Sequence, residues 1–174
     1  MNTSGLELWR WRQQAAIDAI AADVSPTELD WLLQEIAGLD TLSLRLELYK
    51  NQPQIQLKLS LADLNRLWQQ RLQERLPVQY IAQTTPWREF KLAVSPAVLI
   101  PRPETEILID LAVAATKKSF VTGLETGHWV DLGTGSGAIA IGLASVFPFA
   151  KIYAVDRSDL ALVIARSNAQ NLGY

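Results

Sequence analysis

Three glycines, each two residues from the next, follow a short apolar run in the segment WVDLGTGSG at positions 129–137. They stand where a strand would end and a helix would begin, and glycine there permits a positive φ and a close approach of a ligand to the backbone. The first turn of a helix also offers free N–H groups and a partial positive charge, which suit a carboxylate or a phosphate. We therefore predict a ligand-binding loop, formed by Gly133, Thr134, Gly135, Ser136 and Gly137.

A carboxylate follows the next apolar run of the chain. Asp156 stands 19 residues after Gly137, at the end of the segment KIYAVD. The loop segment GTGSGA satisfies the dinucleotide fingerprint, in which an acid about 20 residues further on accepts hydrogen bonds from ribose hydroxyls. The phosphate-loop pattern does not fit, because no Gly-Lys-Ser/Thr follows. We expect Asp156 to bind a ribose; the alternative is that it caps the helix that begins near Ser158.

A second acid, Asp131, precedes the first glycine by two residues and gives the pattern D-x-G-x-G-x-G. A carboxylate in this place would face the pyrophosphate of a dinucleotide and repel it. S-adenosyl-L-methionine carries an ammonium and a sulfonium group instead, which a nearby acid attracts. The pattern therefore favours S-adenosyl-L-methionine as the cofactor, with Asp131 either in direct contact or acting through a water molecule.

Composition excludes several other classes. The 174 residues include no cysteine and a single histidine, His128, which excludes disulfides, Cys-ligated zinc and a Cys nucleophile and disfavours a multi-His metal site. The net charge is −2 without a basic cluster, which disfavours direct nucleic-acid binding. No apolar run approaches the ~18–20 residues of a membrane span, and no apolar signal core is present. We therefore expect a cytoplasmic protein without direct nucleic-acid or membrane contact.

The first part of the chain, residues 1–76, predicts a helical bundle that packs on its own core. Apolar residues recur in it with helical spacing. Ser25 and Glu28 predict a capping box at a helix start, with Pro26 at the first helical position. Leucines alternate in segment 41–50 as they would in a strand, but we interpret this segment as helix because helices surround it.

The remaining chain predicts strands. Residues 77–101 are rich in β-formers, and we predict a β-hairpin linker there with residues 84–86 as its turn. Residues 102–174 alternate between helix and strand, with strands at 128–132 and 151–156. This alternation predicts an α/β fold with parallel strands and right-handed crossovers.

Three motifs carry a resemblance to a known family. They are IPRPETE (100–106), VDLGTGSGAIAIGLA (130–144) and AVDRS (154–158). Together they resemble the protein-(glutamine-N5) methyltransferases of peptide chain release factors, over a stretch from about Leu61 to Tyr174. The resemblance implies an N-terminal helical bundle that docks the release factor, a β-hairpin linker, and the first part of a Rossmann-like class I S-adenosylmethionine-dependent methyltransferase domain. It also assigns Gly133 through Gly137 to the cofactor loop and Asp156 to the ribose.

The IPRPETE motif is the most specific of the three. Its prolines and glutamates suit the first turn of a helix, but this explanation leaves Arg102 without a role. We interpret the motif either as a plain helix start or as a loop that faces the cofactor or the substrate.

The activity implied by the resemblance is methyl transfer from S-adenosyl-L-methionine to the side-chain amide of the glutamine in the Gly-Gly-Gln tripeptide of release factors. The family's substrate-binding Asn-Pro-Pro-Tyr does not occur in these 174 residues, and no catalytic residue is assigned. We therefore expect the chain to be an N-terminal portion of a longer enzyme, inactive by itself. The alternatives are methylation of a ribosomal-protein glutamine, a nicotinamide-dependent oxidoreductase, which Asp131 and IPRPETE disfavour, and a non-catalytic cofactor-binding fragment.

Overall fold

The computed structural model describes all residues, 1–174, and divides them into two compact units. The N-terminal unit is Met1–Ala82 and the C-terminal unit is Gln83–Tyr174. The N-terminal unit comprises β1 (Asn2–Thr3), α1 (Gly5–Ala21), α2 (Pro26–Ala37), α3 (Thr41–Arg45), a 3₁₀ helix (Leu48–Asn51), β2 (Ile55–Gln56), α4 (Leu61–Glu74) and α5 (Val78–Ala82). The N-terminal unit is mainly helical, as the apolar spacing predicts. The ambiguous segment 41–50 is helical at 41–45 and 48–50, with a turn at Leu46 and Glu47 between them.

The start of α2 differs from its prediction. Pro26 opens α2 as expected, but the Ser25 hydroxyl accepts a hydrogen bond from the Thr27 N–H at 3.3 Å. The carboxylate of Glu28 binds the guanidinium of Arg71 on α4 at 2.8 Å instead of returning to Ser25. The predicted capping box is wrong because this ion pair between helices takes the glutamate that the box requires.

Apolar side chains of the N-terminal unit pack into one core. Trp68 on α4 is fully buried, and its indole N–H donates to the Ala15 carbonyl of α1 at 3.2 Å. Leucines of α2 belong to the same core and recur at helical spacing, because one face of an amphipathic helix packs inward. They are Leu29, Leu32 and Leu33.

The C-terminal unit mixes helices with two separate strand pairs. It comprises β3 (Thr84–Trp87), β4 (Phe90–Ala93), a 3₁₀ helix (Pro103–Glu106), α6 (Ile107–Lys118), a 3₁₀ helix (Leu124–Thr126), β5 (His128–Leu132), α7 (Ala138–Val146), β6 (Lys151–Val155) and α8 (Asp159–Asn171). Its core is formed by Trp87, Phe90, Leu92, Ile109, Ala138, Ile141, Leu143 and Phe147. The α/β alternation expected of residues 102–174 is present.

The antiparallel hairpin of β3 and β4 is shifted relative to its prediction. Residues 84–86 belong to β3 and do not form the turn, which lies at Arg88 and Glu89. Arg88 has a φ of 50° there. The predicted turn is wrong because Trp87 is buried in the core, and this burial keeps the preceding residues extended. The segment before the hairpin, Val78–Ala82, is helical although its residue types favour strands.

The parallel pair of β5 and β6 carries the candidate loop. Its register runs from His128 opposite Lys151 to Leu132 opposite Val155, and α7 connects the two strands. Both predicted strands are confirmed to within one residue. No helix of the chain combines the length and the hydropathy that a membrane crossing requires.

Candidate cofactor-binding site

The glycine loop, residues 133–137, follows the carboxyl end of β5 and is held by the neighbouring strand. The N–H groups of Gly133 and Thr134 both donate to the Val155 carbonyl at the end of β6, at 2.7 and 2.9 Å. The Thr134 carbonyl then accepts from the Gly137 N–H at 2.8 Å, which closes a tight turn. All three glycines have a positive φ, between 54° and 84°. A residue with a side chain would be strained in this conformation, so the loop requires glycines as the spacing predicts.

The glycines serve two purposes. A Cβ atom built on Gly133 or Gly135 would meet no atom within 4 Å, so the loop has open space beside these two residues. A Cβ atom on Gly137 would lie 3.2 Å from the Cβ atom of Ala165. The first two glycines therefore leave room for a ligand against the backbone, and the third allows α8 to pack closely on the loop.

Asp156 stands directly beside this loop. One carboxylate oxygen accepts from the Gly135 N–H at 2.9 Å and the other from the Ser158 N–H at 3.0 Å. These hydrogen bonds hold the pKa of the Asp156 carboxyl below its ordinary value of 3.8, and the bond from the Ser158 N–H has the larger effect. The expected alternative, a cap on α8, does not apply because the Ser158 hydroxyl caps that helix by accepting from the Ala161 N–H. Each oxygen can still accept a further hydrogen bond, for example from a ribose hydroxyl. Ribose binding by Asp156 stays a prediction.

Asp131 lies beneath the loop, where only 8% of its surface is exposed. One carboxylate oxygen accepts from the Thr134 hydroxyl at 2.7 Å and from the Ala140 N–H in the first turn of α7 at 3.2 Å. The negative charge sits next to the positive end of the α7 dipole, which stabilises it. Asp131 therefore braces the loop on α7, a role that sequence reasoning did not assign.

Asn168 on α8 also contacts the loop and was absent from the predicted site. Its side-chain amide donates to the Ser136 carbonyl at 2.8 Å, and only 2% of the residue is exposed. Spacing gives no signal for it. The one available clue is an asparagine inside a helix, where its side chain competes with the backbone for hydrogen bonds.

The IPRPETE segment is fixed by the tip of the hairpin. The Arg102 carbonyl accepts from the Trp87 indole N–H at 3.1 Å and from the Thr105 hydroxyl. The Glu106 carboxylate accepts from the Arg88 N–H at 3.1 Å. The prolines and acids thus open a 3₁₀ turn that leads into α6, as a helix start predicts, while the Arg102 residue is exposed.

Part of the chain matches the model of a known protein family. Residues 125–174, which contain β5, the glycine loop, Asp156 and α8, match the family model described as a methyltransferase domain.

Nearly the whole chain is also similar to several bacterial proteins that share one name. The chain is 47% identical over 167 residues to the release factor glutamine methyltransferase of Synechocystis sp., which covers 96% of this chain and 55% of that protein. It is 46% identical over 170 residues to the protein of the same name from Thermosynechococcus vestitus, covering 98% of this chain and 56% of the relative. For the Gloeobacter violaceus protein the identity is 43% over 163 residues, covering 94% and 54%.

The chain spans about half the length of the curated relatives it matches. The resemblance drawn from the three motifs is confirmed: over nearly its whole length the chain is similar to part of several proteins named release factor glutamine methyltransferase.

Proposed function

We propose that the protein carrying this chain is an S-adenosyl-L-methionine-dependent methyltransferase that methylates the N5 atom of the Gly-Gly-Gln glutamine in peptide chain release factors. The observation that carries the proposal is the glycine loop with its open face beside Gly133 and Gly135 and with Asp156 hydrogen-bonded to it. The similarity to proteins named release factor glutamine methyltransferase supports the substrate class of the proposal.

The residues of the loop fit the chemistry of this cofactor. Asp156 can accept from the two ribose hydroxyls, because each carboxylate oxygen accepts more than one hydrogen bond. Gly133, Thr134, Gly135, Ser136 and Gly137 form the backbone cradle in the position where the cofactor would lie. Bound there, S-adenosyl-L-methionine supplies an electrophilic methyl group. The amide nitrogen of glutamine is a poor nucleophile, so the reaction depends on groups that hold it in line with that methyl group.

Charge supports this cofactor over a nicotinamide dinucleotide. The buried carboxylate of Asp131 lies below the loop and accepts from the Thr134 hydroxyl at 2.7 Å. A pyrophosphate approaching the same backbone would bring two more negative charges close to this carboxylate, which is unfavourable in a partly buried site. The ammonium and sulfonium groups of S-adenosyl-L-methionine would instead be attracted.

The N-terminal unit is proposed to dock the protein substrate. Its helix α1 exposes two large apolar side chains, Ile17 and Ile20, which are 61% and 69% exposed. They lie three positions apart and hence on one side of the helix. This side of α1 therefore offers apolar surface that a docked protein would cover. A ribosomal protein is the alternative substrate, and a cytoplasmic location belongs to this proposal because release factors act in translation.

Methyl transfer to a purified release factor tests the proposal. The gene product that contains this chain would be incubated with labelled S-adenosyl-L-methionine and either the intact factor or a variant with alanine for the tripeptide glutamine. We expect mass spectrometry to find one methyl group on that glutamine and none on the variant. Equal labelling of the variant, or labelling of ribosomal proteins alone, would reject the substrate assignment.

A further inference from the structure

We infer that Asn168 is a positioning residue that holds the cofactor loop in its binding shape by tying it to the edge of β4. What the loop binds rests on the proposed function, whereas the tie itself rests on the contacts of Asn168 alone.

The side-chain amide of Asn168 makes three hydrogen bonds. Its oxygen accepts from the Ala93 N–H at 2.7 Å, and its nitrogen donates to the Ala93 carbonyl at 3.0 Å and to the Ser136 carbonyl at 2.8 Å. The residue is 2% exposed. Both amide hydrogens and the oxygen are therefore engaged, and the two partners lie 75 and 32 residues away in the sequence.

The contact with Ala93 resembles strand pairing. Ala93 is the last residue of β4, and both of its backbone polar groups bind the same side chain. The amide of Asn168 thus occupies the place that a neighbouring strand would take, and it satisfies backbone groups at a free sheet edge.

The contact with Ser136 fixes the loop from the same helix face. Ser136 stands between two glycines with positive φ and is buried, so its carbonyl requires a partner inside the protein. Ala165, three residues before Asn168 on α8, contacts the position of Gly137. Residues three apart lie on one side of a helix, so α8 contacts two consecutive residues of the loop at once.

Only an amide of this length makes all three hydrogen bonds. A carboxylate offers acceptors but no donors, so it would leave the carbonyls of Ala93 and Ser136 without partners. Without the tie, the glycines can leave the conformation that opens space beside Gly133 and Gly135, because glycine accepts many others. Asn168 therefore contributes to cofactor affinity through the shape of the loop.

The test compares Asn168→Asp and Asn168→Ser with Asn171→Ala in the gene product that contains this chain. Asn171 is a matched control because it lies on the same helix, is exposed, and donates only to the Ser167 hydroxyl at 3.5 Å. The serine variant is smaller and admits water, so it serves if the buried carboxylate prevents folding. Calorimetry gives the Kd for S-adenosyl-L-methionine, and hydrogen exchange without ligand reports on residues 90–94 and 133–137.

We expect both Asn168 variants to weaken S-adenosyl-L-methionine binding by at least about tenfold, the effect of leaving buried carbonyls without donors. Exchange should increase at residues 90–94 and 133–137, and the Asn171→Ala control should match the unaltered protein. The KM for the cofactor should rise with the Kd while the KM for the release factor stays unchanged. A merely destabilised protein would instead lose active fraction, which lowers kcat and leaves both KM values unchanged.

Two outcomes overturn the inference. One is cofactor binding by the Asn168 variants as tight as that of the control. The other is unchanged exchange at residues 133–137. If the unaltered protein does not bind S-adenosyl-L-methionine, the proposed function fails, and the exchange data alone then decide whether Asn168 holds the loop.

Discussion

The two units differ in how completely they bury their apolar surface. In the N-terminal unit, side chains from α1, α2 and α4 converge on one core that encloses Trp68. In the C-terminal unit, one face of the pair of β5 and β6 packs against helices and is only partly buried, while the other face is exposed. The exposed residues on that face include Val130, Leu132, Tyr153 and Val155. A two-stranded sheet is marginally stable and its edges invite association with other chains. The C-terminal unit, which carries the loop, thus leaves more of its apolar surface uncovered than the N-terminal unit does.

The polar contacts of the two units differ in the same way. The N-terminal unit joins its helices by half-buried ion pairs, Arg12 with Asp30 and Arg71 with Glu28, each at 2.8 Å. The C-terminal unit has the ion pair of Arg88 with Asp110 at 3.2 Å. Its other polar side chains bind backbone groups of the loop and of the hairpin, as Asn168 does. The N-terminal unit is therefore held by side-chain packing and ion pairs between helices. The shape of the binding loop depends on a few hydrogen bonds, which one substitution can remove.

Replacing one buried tryptophan in each unit should have the largest effect on the free energy of unfolding. Trp68→Ala and Trp87→Ala should each cost about 3–5 kcal/mol in free energy of unfolding, because each removes a large side chain from a packed core. Native-state hydrogen exchange with denaturant would locate the loss. We expect Trp68→Ala to reduce protection in residues 1–82 only, and Trp87→Ala in residues 83–174 only. If either variant lost hydrogen-exchange protection equally in both units, the two units would unfold as one cooperative structure, which would contradict this difference between them.

A smaller effect concerns acid pH. In the N-terminal unit, hydrogen bonds from Ser4 hold the pKa of the Glu7 carboxyl below its ordinary value of 4.5, and those from Ser43 hold the pKa of Asp40 below 3.8. In the C-terminal unit the depressed carboxyl is Asp156. A depressed pKa means that the charged group stabilises the folded state above its ordinary pKa. This contribution is lost as pH falls through the lower, folded value.

Acid should therefore loosen helix starts in one unit and the glycine loop in the other. The Gly135 amide proton, which binds Asp156, reports on the loop by nuclear magnetic resonance. We expect its chemical shift to change with an inflection below pH 3.8, and the inflection to vanish in Asp156→Asn. An inflection at or above 3.8 would contradict the hydrogen-bonded carboxylate.

Local chemistry made part of the fold and site predictable from the sequence. The strand at 128–132 is a short apolar run with a glycine stop, and the loop glycines have the positive φ that their spacing requires. Pro26 opens a helix because its missing N–H is not needed there. These features depend on neighbours within a few residues, so the sequence contains their causes directly.

The features that were missed depend on distant partners. Glu28 does not close a capping box because Arg71, 43 residues away, binds it. Residues 84–86 remain extended because Trp87 is buried in a core built with residues of β4, α6 and α7. Asn168 meets Ala93 and Ser136 only after the chain has folded. No pattern of spacing encodes these contacts.

We propose that the loop of Gly133–Gly137, with Asp156 beside it, binds S-adenosyl-L-methionine. Calorimetric titration of the gene product with S-adenosyl-L-methionine and, separately, with NADH tests it most directly, with Gly135→Val and Asp156→Ala alongside. We expect binding of S-adenosyl-L-methionine and much weaker binding of NADH. We also expect loss of binding in Gly135→Val, because a β-branched residue is strained at a φ of 54°, and roughly 10- to 100-fold weaker binding in Asp156→Ala. Unchanged affinity in both folded variants, or NADH bound as tightly as S-adenosyl-L-methionine, would contradict the proposal.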